Sequence, residues 1–169
     1  MNDQLEQYVQ RLAGEFEFFC TELWKSIDLP SLARHQKQMA RWLQDGPRRR
    51  GIRAFRGASK TWVTLAYCAW RLFKNPDERV LLVSKSEKHS KDSLFMVRRW
   101  IGQVSFLQHL VPDRRSGQRD SATKFDVGPS DNDRVPSFTA ASITGQITGT
   151  RGTVIISDDV ETGVNTLTF

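Results

Sequence analysis

The chain has 169 residues, 38% of them hydrophobic and 26% charged, with a formal net charge of +6. That composition fits one globular domain able to bury a core and excludes a disordered or collagen-like chain. No apolar run approaches the ~20 residues of a membrane span. The polar start Met1-Asn2-Asp3-Gln4 does not read as a signal peptide. The surplus of positive charge points to a polyanionic partner, nucleic acid first. Its basic runs are Arg48-Arg49-Arg50, Arg98-Arg99 and Arg114-Arg115 with Arg119. The two cysteines, Cys20 and Cys68, stand in apolar helical surroundings and read as buried free thiols of a reducing cytoplasm.

From Leu5 to Leu23, apolar residues recur at Leu5, Tyr8, Val9, Leu12, Phe16, Phe19 and Leu23. The spacing predicts one amphipathic helix, broken by Asp28-Leu29-Pro30. Ser31 reads as the N-cap of a second helix over 32–44, ended by Asp45-Gly46-Pro47. Gln36 and Gln38 lie on it. A glutamine here can read an adenine edge through its amide, or can simply be a surface residue.

The most informative stretch runs from Gly51 to Thr61. Ile52, Ala54 and Phe55 predict a short buried strand, Gly57-Ala58-Ser59 a small-residue turn, and Lys60-Thr61 the start of a helix reaching about Lys74. Strand, tight turn, Lys-Thr and helix form the layout of a phosphate-binding loop. Small residues let backbone N–H groups turn onto a phosphate chain, and the helix N-terminus adds partial positive charge. The lysine reaches terminal phosphates and the threonine hydroxyl ligates Mg²⁺. The usual pattern, G-x-x-x-x-G-K-[ST], is met with Ala54 at the first glycine position and Ser59 at the second, so Gly57 is the residue expected to supply positive φ. The alternative is an ordinary strand-to-helix turn.

Asn75-Pro76-Asp77 stops that helix, and the run 79–84 is a strand covered on both faces, completing a strand–helix–strand unit. A third helix over 89–104 follows, with Leu94, Val97 and Ile101 on one face. Next come a short apolar continuation to Val111, a Gly- and charge-rich loop, a weak strand over 122–127, a turn-rich loop over 128–136 and a further strand over 137–144. A second stretch, from Gly145 to Glu161, carries Arg151, the apolar strand Val154 to Ile156, and then Asp158, Asp159 and Glu161. Carboxylates at the C-terminal tip of a buried strand sit where α/β sheets bind ligands. One acid there can hold Mg²⁺ and another can polarise an attacking water. The alternative is that they cap the next helix. His35, His89 and His109 show no metal-ligand spacing and read as structural or exposed.

Taken in order, several segments resemble the N-terminal ATPase part of the large terminase subunit, or DNA maturase B, of short-tailed podovirus-type phages. They are His35-Gln36-Lys37-Gln38-Met39-Ala40, the stretch from Ala54 to Trp62, Gly117-Gln118-Arg119-Asp120-Ser121, Phe125-Asp126-Val127-Gly128-Pro129, Ile143 to Gly149, and Asp158-Asp159-Val160-Glu161. The resemblance implies a three-layer α/β P-loop ATPase with a mainly parallel sheet, occupying 30–169 after an N-terminal helix over 1–29. It also implies that the chain ends just past the Walker B strand, without the family's nuclease domain. It implies ATP and Mg²⁺ as cofactors. Gln36 would read adenine, and Arg56, Gly57, Ala58, Ser59, Lys60 and Thr61 would form the Walker A loop. Thr61 and Asp158 would hold the metal. Arg56 would act on the γ-phosphate, and Asp159 or Glu161 would be the catalytic carboxylate. The implied partners are double-stranded DNA, the small terminase subunit, the procapsid portal and sister subunits, in the host cytoplasm with no membrane. The other readings are a helicase-like ATPase, or an inactive product that binds DNA or sister subunits.

Overall fold

The computed structural model describes residues 2–131, 133–145, 147 and 149–160. The chain divides into two compact units, 1–74 and 75–169.

The first unit is helical: α1 Asn2–Gly14, α2 Phe16–Ser26, α3 Arg34–Asp45 and α4 Lys60–Lys74. The single amphipathic helix expected over Leu5–Leu23 is two. Glu15, with extended backbone at φ −121°, separates them. The break stands because the freed amide of Phe16 donates to Gln44 Oε1 of α3 at 2.6 Å. The helical phase is kept across the joint, so Leu12, Phe16, Phe19 and Leu23 are all fully buried. Phe16 meets Trp70 and Tyr67 of α4 at ring-centroid distances of 5.1 and 5.3 Å, and Phe19 meets Phe73 at 5.7 Å. Such pairs add about 0.5–1.5 kcal/mol each beyond their area burial. Trp70 Nε1 donates to the Leu12 carbonyl at 2.9 Å, satisfying a polar group that the packing would otherwise strand. The end of α2 is a Schellman closure. Leu29 N–H returns to the Trp24 carbonyl at 2.9 Å, and Asp28 takes the left-handed position at φ 56° that glycine usually fills.

Helix α3 starts two residues later than expected, and Ser31 is not its cap. Ala33 occupies the N-cap, and Gln36 supplies the polar group, its Oε1 accepting from Ala33 N–H at 2.8 Å. The expected strand over Gly51–Phe55 is also corrected. These residues form irregular backbone, and Arg53 and Phe55 are exposed. A strand needs a ladder partner, and every strand of the described sheet comes from the second unit.

The second unit carries β1 Val80–Ser84, α5 Glu87–Gln103, two 3₁₀ turns (Ser105–Leu110 and Arg114–Ser116), β2 Lys124–Phe125, β3 Phe138–Ser142 and β4 Val154–Asp158. The four strands make one sheet in the order β2-β3-β1-β4. The β1–β3 and β1–β4 pairs are parallel and β2–β3 is antiparallel. The architecture is therefore α/β with a mostly parallel sheet, as expected. Every residue of β1 is buried, which explains its unbroken apolar run. Helix α5 packs on β1 and β3 through the face that carries Leu94, Val97 and Ile101, all buried. Its cap is Ser86, whose hydroxyl accepts from His89 N–H at 3.3 Å. Phe125 and Phe138, paired in register, stack at 5.2 Å with 8° between the rings.

The long connection over 111–137 is tied by side chains rather than by regular structure. Gln118 Nε2 donates to the carbonyls of Val127 and Gly128, each at 3.1 Å, and its Oε1 accepts from Asp113 N–H at 2.7 Å. Gly128 allows that loop to pass close to its neighbour: a Cβ there would fall 2.8 Å from the Val111 carbonyl oxygen. Both cysteines are free and buried, as expected. No described helix is long and apolar enough to cross a membrane.

Candidate functional site

In the first unit, residues 54–61 make a tight turn into α4. Gly57 has φ 88°, and Ser59 has φ 56°. The residue standing where the phosphate-loop pattern places glycine thus takes the left-handed conformation that glycine favours, at a cost of about 1–2 kcal/mol. The turn is closed by Ala58 N–H donating to the Phe55 carbonyl at 3.2 Å, and α4 begins with Val63 N–H donating to the Ser59 carbonyl at 3.2 Å. Lys60 is the first residue of α4 and Thr61 the second. The first amides of a helix have no acceptor within it, so they and the helix dipole face whatever lies at this turn. Ala58 is buried, whereas Gly57 and Arg56 are exposed and Ser59, Lys60 and Thr61 are half-buried. The Thr61 hydroxyl and the Arg56 guanidinium have no hydrogen-bond partner among the described residues. Gln36, buried on α3, commits its carbonyl oxygen to the helix cap. Its Nε2 makes no hydrogen bond among the described residues.

In the second unit, Ser84, Ser142 and Asp158 occupy matching register positions at the C-terminal ends of β1, β3 and β4. They form one polar row at the edge where parallel sheets receive ligands. Ser142 and Thr144 share a hydroxyl hydrogen bond of 2.7 Å. Asp158 is 7% exposed, and its carboxylate has no hydrogen-bond or ion-pair partner among the described residues. Burying an unpaired carboxylate is costly, and a hard cation bound through oxygen removes that cost. Asp159, next in the chain, is exposed, sits at φ 54° and lies 3.5 Å from Lys85 Nζ. Glu161 lies outside the described residues. The Thr61 hydroxyl in the first unit and the Asp158 carboxylate in the second are each hard-oxygen donors of the kind that suits Mg²⁺. Among the described residues no group of three or more His, Cys, Asp or Glu is placed to hold a metal. Burial lowers the pKa of the His109 imidazole below its ordinary value, with a partial offset from the Phe106 backbone.

Several arginines of the basic runs are paired. Arg98 and Arg114 both pair with Asp120. Arg50 donates to Tyr67 Oη at 2.9 Å and to the Gly46 carbonyl at 2.8 Å. Arg119 is bound to Asp126. The Arg119–Asp126 pair was not found from sequence, because neither side chain shows its partner through spacing in an irregular loop.

The fold and these two stretches define an α/β chain with a tight positive-φ turn opening a helix at Lys60-Thr61 in one unit and an acid-tipped parallel strand in the other. No family model matches the chain. It is similar to the terminase large subunit of Enterobacteria phage T3, 39% identical over 161 residues, which cover 95% of this chain and 27% of that relative. The resemblance read from the motifs is therefore borne out along nearly the whole chain, while the chain spans about a quarter of that relative's length.

Proposed function

We propose that the chain is the ATPase portion of a phage terminase large subunit. It binds Mg²⁺–ATP and hydrolyses it, and in the whole protein this drives double-stranded DNA into a procapsid. The observation that carries the reading is the backbone at Gly57 and Ser59, both at positive φ directly before a helix that opens with Lys60 and Thr61. A strained non-glycine residue in a loop is kept where the conformation serves a site.

In this reading the first-turn amides of α4 and Lys60 hold the phosphates, and Arg56 neutralises charge on the terminal one. Thr61 and Asp158 hold the metal, and Gln36 offers its amide nitrogen to the base. Bound Mg²⁺ supplies charge neutralisation at the phosphates. Asp159 or Glu161 orients water as the nucleophile. The remaining work is positioning and electrostatic stabilisation. The small terminase subunit, the portal and sister subunits are the proposed partners, in the host cytoplasm.

The test is Mg²⁺–ATP binding by ligand-dependent melting, with Lys60→Ala beside the wild-type chain. At 100 times Kd, binding stabilises by about 2.7 kcal/mol, a shift easily read. The reading predicts a shift for the wild-type chain and none for the variant; equal shifts in both would overturn it. A second reading, nucleic-acid binding without turnover, is favoured by exposed unpaired cations on the second unit. DNA binding with no nucleotide-dependent shift would select it.

A further inference from the structure

We infer that the second unit carries a phosphate-binding cleft for a nucleic-acid backbone, built from Lys124, Arg134 and Arg151 around Arg119. The cleft has a volume of about 380 Å³ and is lined by these four cations, with Thr139 and Thr150 among its other walls and no carboxylate among the described residues. Its Lys124, Arg134 and Arg151 come from three separate segments: β2, the loop before β3 and the turn before β4. None of the basic runs in the sequence supplies more than one of its charges.

The charges are unequal in role. Arg119 is spent on structure. Its Nε donates to Asp126 Oδ2 at 2.8 Å and its second terminal nitrogen to Oδ1 at 3.1 Å, while its first holds the Arg134 carbonyl at 2.8 Å. It therefore fixes the loop that presents Arg134. Lys124, Arg134 and Arg151 are exposed, and their side chains make no hydrogen bond or ion pair among the described residues. Lys124 and Thr139 are register partners across β2 and β3, so they project from one face of the sheet. The Arg151 segment is pinned just beyond it, where Thr153 N–H donates to the Arg79 carbonyl at 2.8 Å and Arg79 N–H donates to Thr153 Oγ1 at 2.9 Å. The walls are thus held in place before any ligand arrives, which lowers the cost of binding.

The lining also selects among anions. Among the described residues it has cations and hydroxyls but no aromatic ring to stack a base and no side-chain amide or carboxylate to read one. Such a surface recognises phosphodiester oxygens without sequence preference. The choice of duplex DNA as the probe rests on the terminase reading; the cleft itself does not involve Lys60.

The experiment uses the whole chain and a fluorescein-labelled 20-base-pair duplex, with anisotropy read over a salt series. Tripolyphosphate binding is measured in parallel. The variant Lys124→Ala/Arg134→Ala/Arg151→Ala should bind the duplex at least tenfold more weakly, with a log–log salt slope shallower by about 2–3, since each phosphate contact contributes about 0.9. A control, Lys37→Ala/Lys88→Ala/Arg99→Ala, removes equal charge elsewhere and should stay within about threefold of wild type. Both variants should melt with the wild-type chain. The cleft is overturned if the wild-type chain does not bind the duplex or if both variants weaken equally. Loss of tripolyphosphate binding with DNA binding intact would overturn the backbone assignment in favour of a nucleotide polyphosphate. None of these outcomes depends on Lys60→Ala, so a failed cleft and a failed nucleotide site are told apart.

Discussion

Arg119 grips Asp126 through both carboxylate oxygens, at 2.8 and 3.1 Å, while the Arg119 backbone N–H donates to the same carboxylate at 2.7 Å. Ser137 N–H adds a further donor at 3.3 Å. Burial alone would raise the Asp126 pKa, but the hydrogen bonds and charge of Arg119, with the Ser137 amide, outweigh it and hold the carboxyl below its ordinary value. A carboxyl depressed in the folded state stabilises above its unfolded pKa near 3.9, and that contribution is lost as pH falls through the folded value. Asp126→Asn keeps the shape but leaves Arg119 facing a neutral amide, and should cost about 2–3 kcal/mol at pH 7. Urea midpoints from pH 7 down to pH 3 check this. The gap between wild type and variant should close as the wild-type carboxyl protonates; a gap that stays constant would show that the charge is not the stabilising element.

Ser59 and Gly57 share the left-handed backbone region, but only one of them pays for it in strain. Ser59→Gly should raise stability by about 1 kcal/mol through relief of the left-handed penalty. Gly57→Ala should lower it by about 1 kcal/mol, purely through backbone conformation, because a Cβ there would meet nothing within 4 Å. Denaturant midpoints of the two variants should therefore move in opposite directions. If the turn is a phosphate cradle, Ser59→Gly keeps its shape, and Mg²⁺–ATP affinity should stay within about threefold of wild type. A large loss would mean that the serine hydroxyl, and not the backbone, serves the ligand.

What was legible in the sequence was what local periodicity fixes. Leu94, Val97 and Ile101 mark the buried face of α5, and the run from Val80 marks a strand buried on both sides. Features set by partners distant in sequence were not legible. The apolar stripe crosses Glu15 in phase, so the break between α1 and α2 leaves no trace in the pattern, and only Gln44 makes it tolerable. Ile52, Ala54 and Phe55 have strand-like composition, but composition does not provide a neighbouring strand. At the candidate site, the small-residue turn and Lys60-Thr61 were legible as chemistry, and the positive φ at Ser59 was not, since Ser is a poor signal for it. The charges of the cleft stayed hidden because Lys124, Arg134 and Arg151 are isolated in sequence and converge through contacts of separate segments: the β2–β3 register, the Arg119 hydrogen bond to the Arg134 carbonyl, and the Thr153–Arg79 hydrogen bonds.

Gln36 offers a way to separate a cap from a ligand contact. Its Oε1 accepts from Ala33 N–H at 2.8 Å, so the acceptor half of the amide is structural, while the donor half is unengaged among the described residues. Gln36→Ala removes both halves. It should cost about 1 kcal/mol, the typical loss on deleting a helix N-terminal hydrogen bond. Gln36→Glu keeps an acceptor for Ala33 N–H and adds negative charge in the first turn, where the helix dipole favours it, but has no amide to donate. Its stability should match or exceed that of wild type. If the amide nitrogen serves an adenine edge, Gln36→Glu should still weaken ATP binding by about tenfold, roughly the 1.4 kcal/mol of one lost hydrogen bond. A triphosphate lacking the base should be bound as before. Melting curves and nucleotide titrations of the two variants decide the matter: unchanged ATP affinity in Gln36→Glu would assign this residue to the helix cap alone.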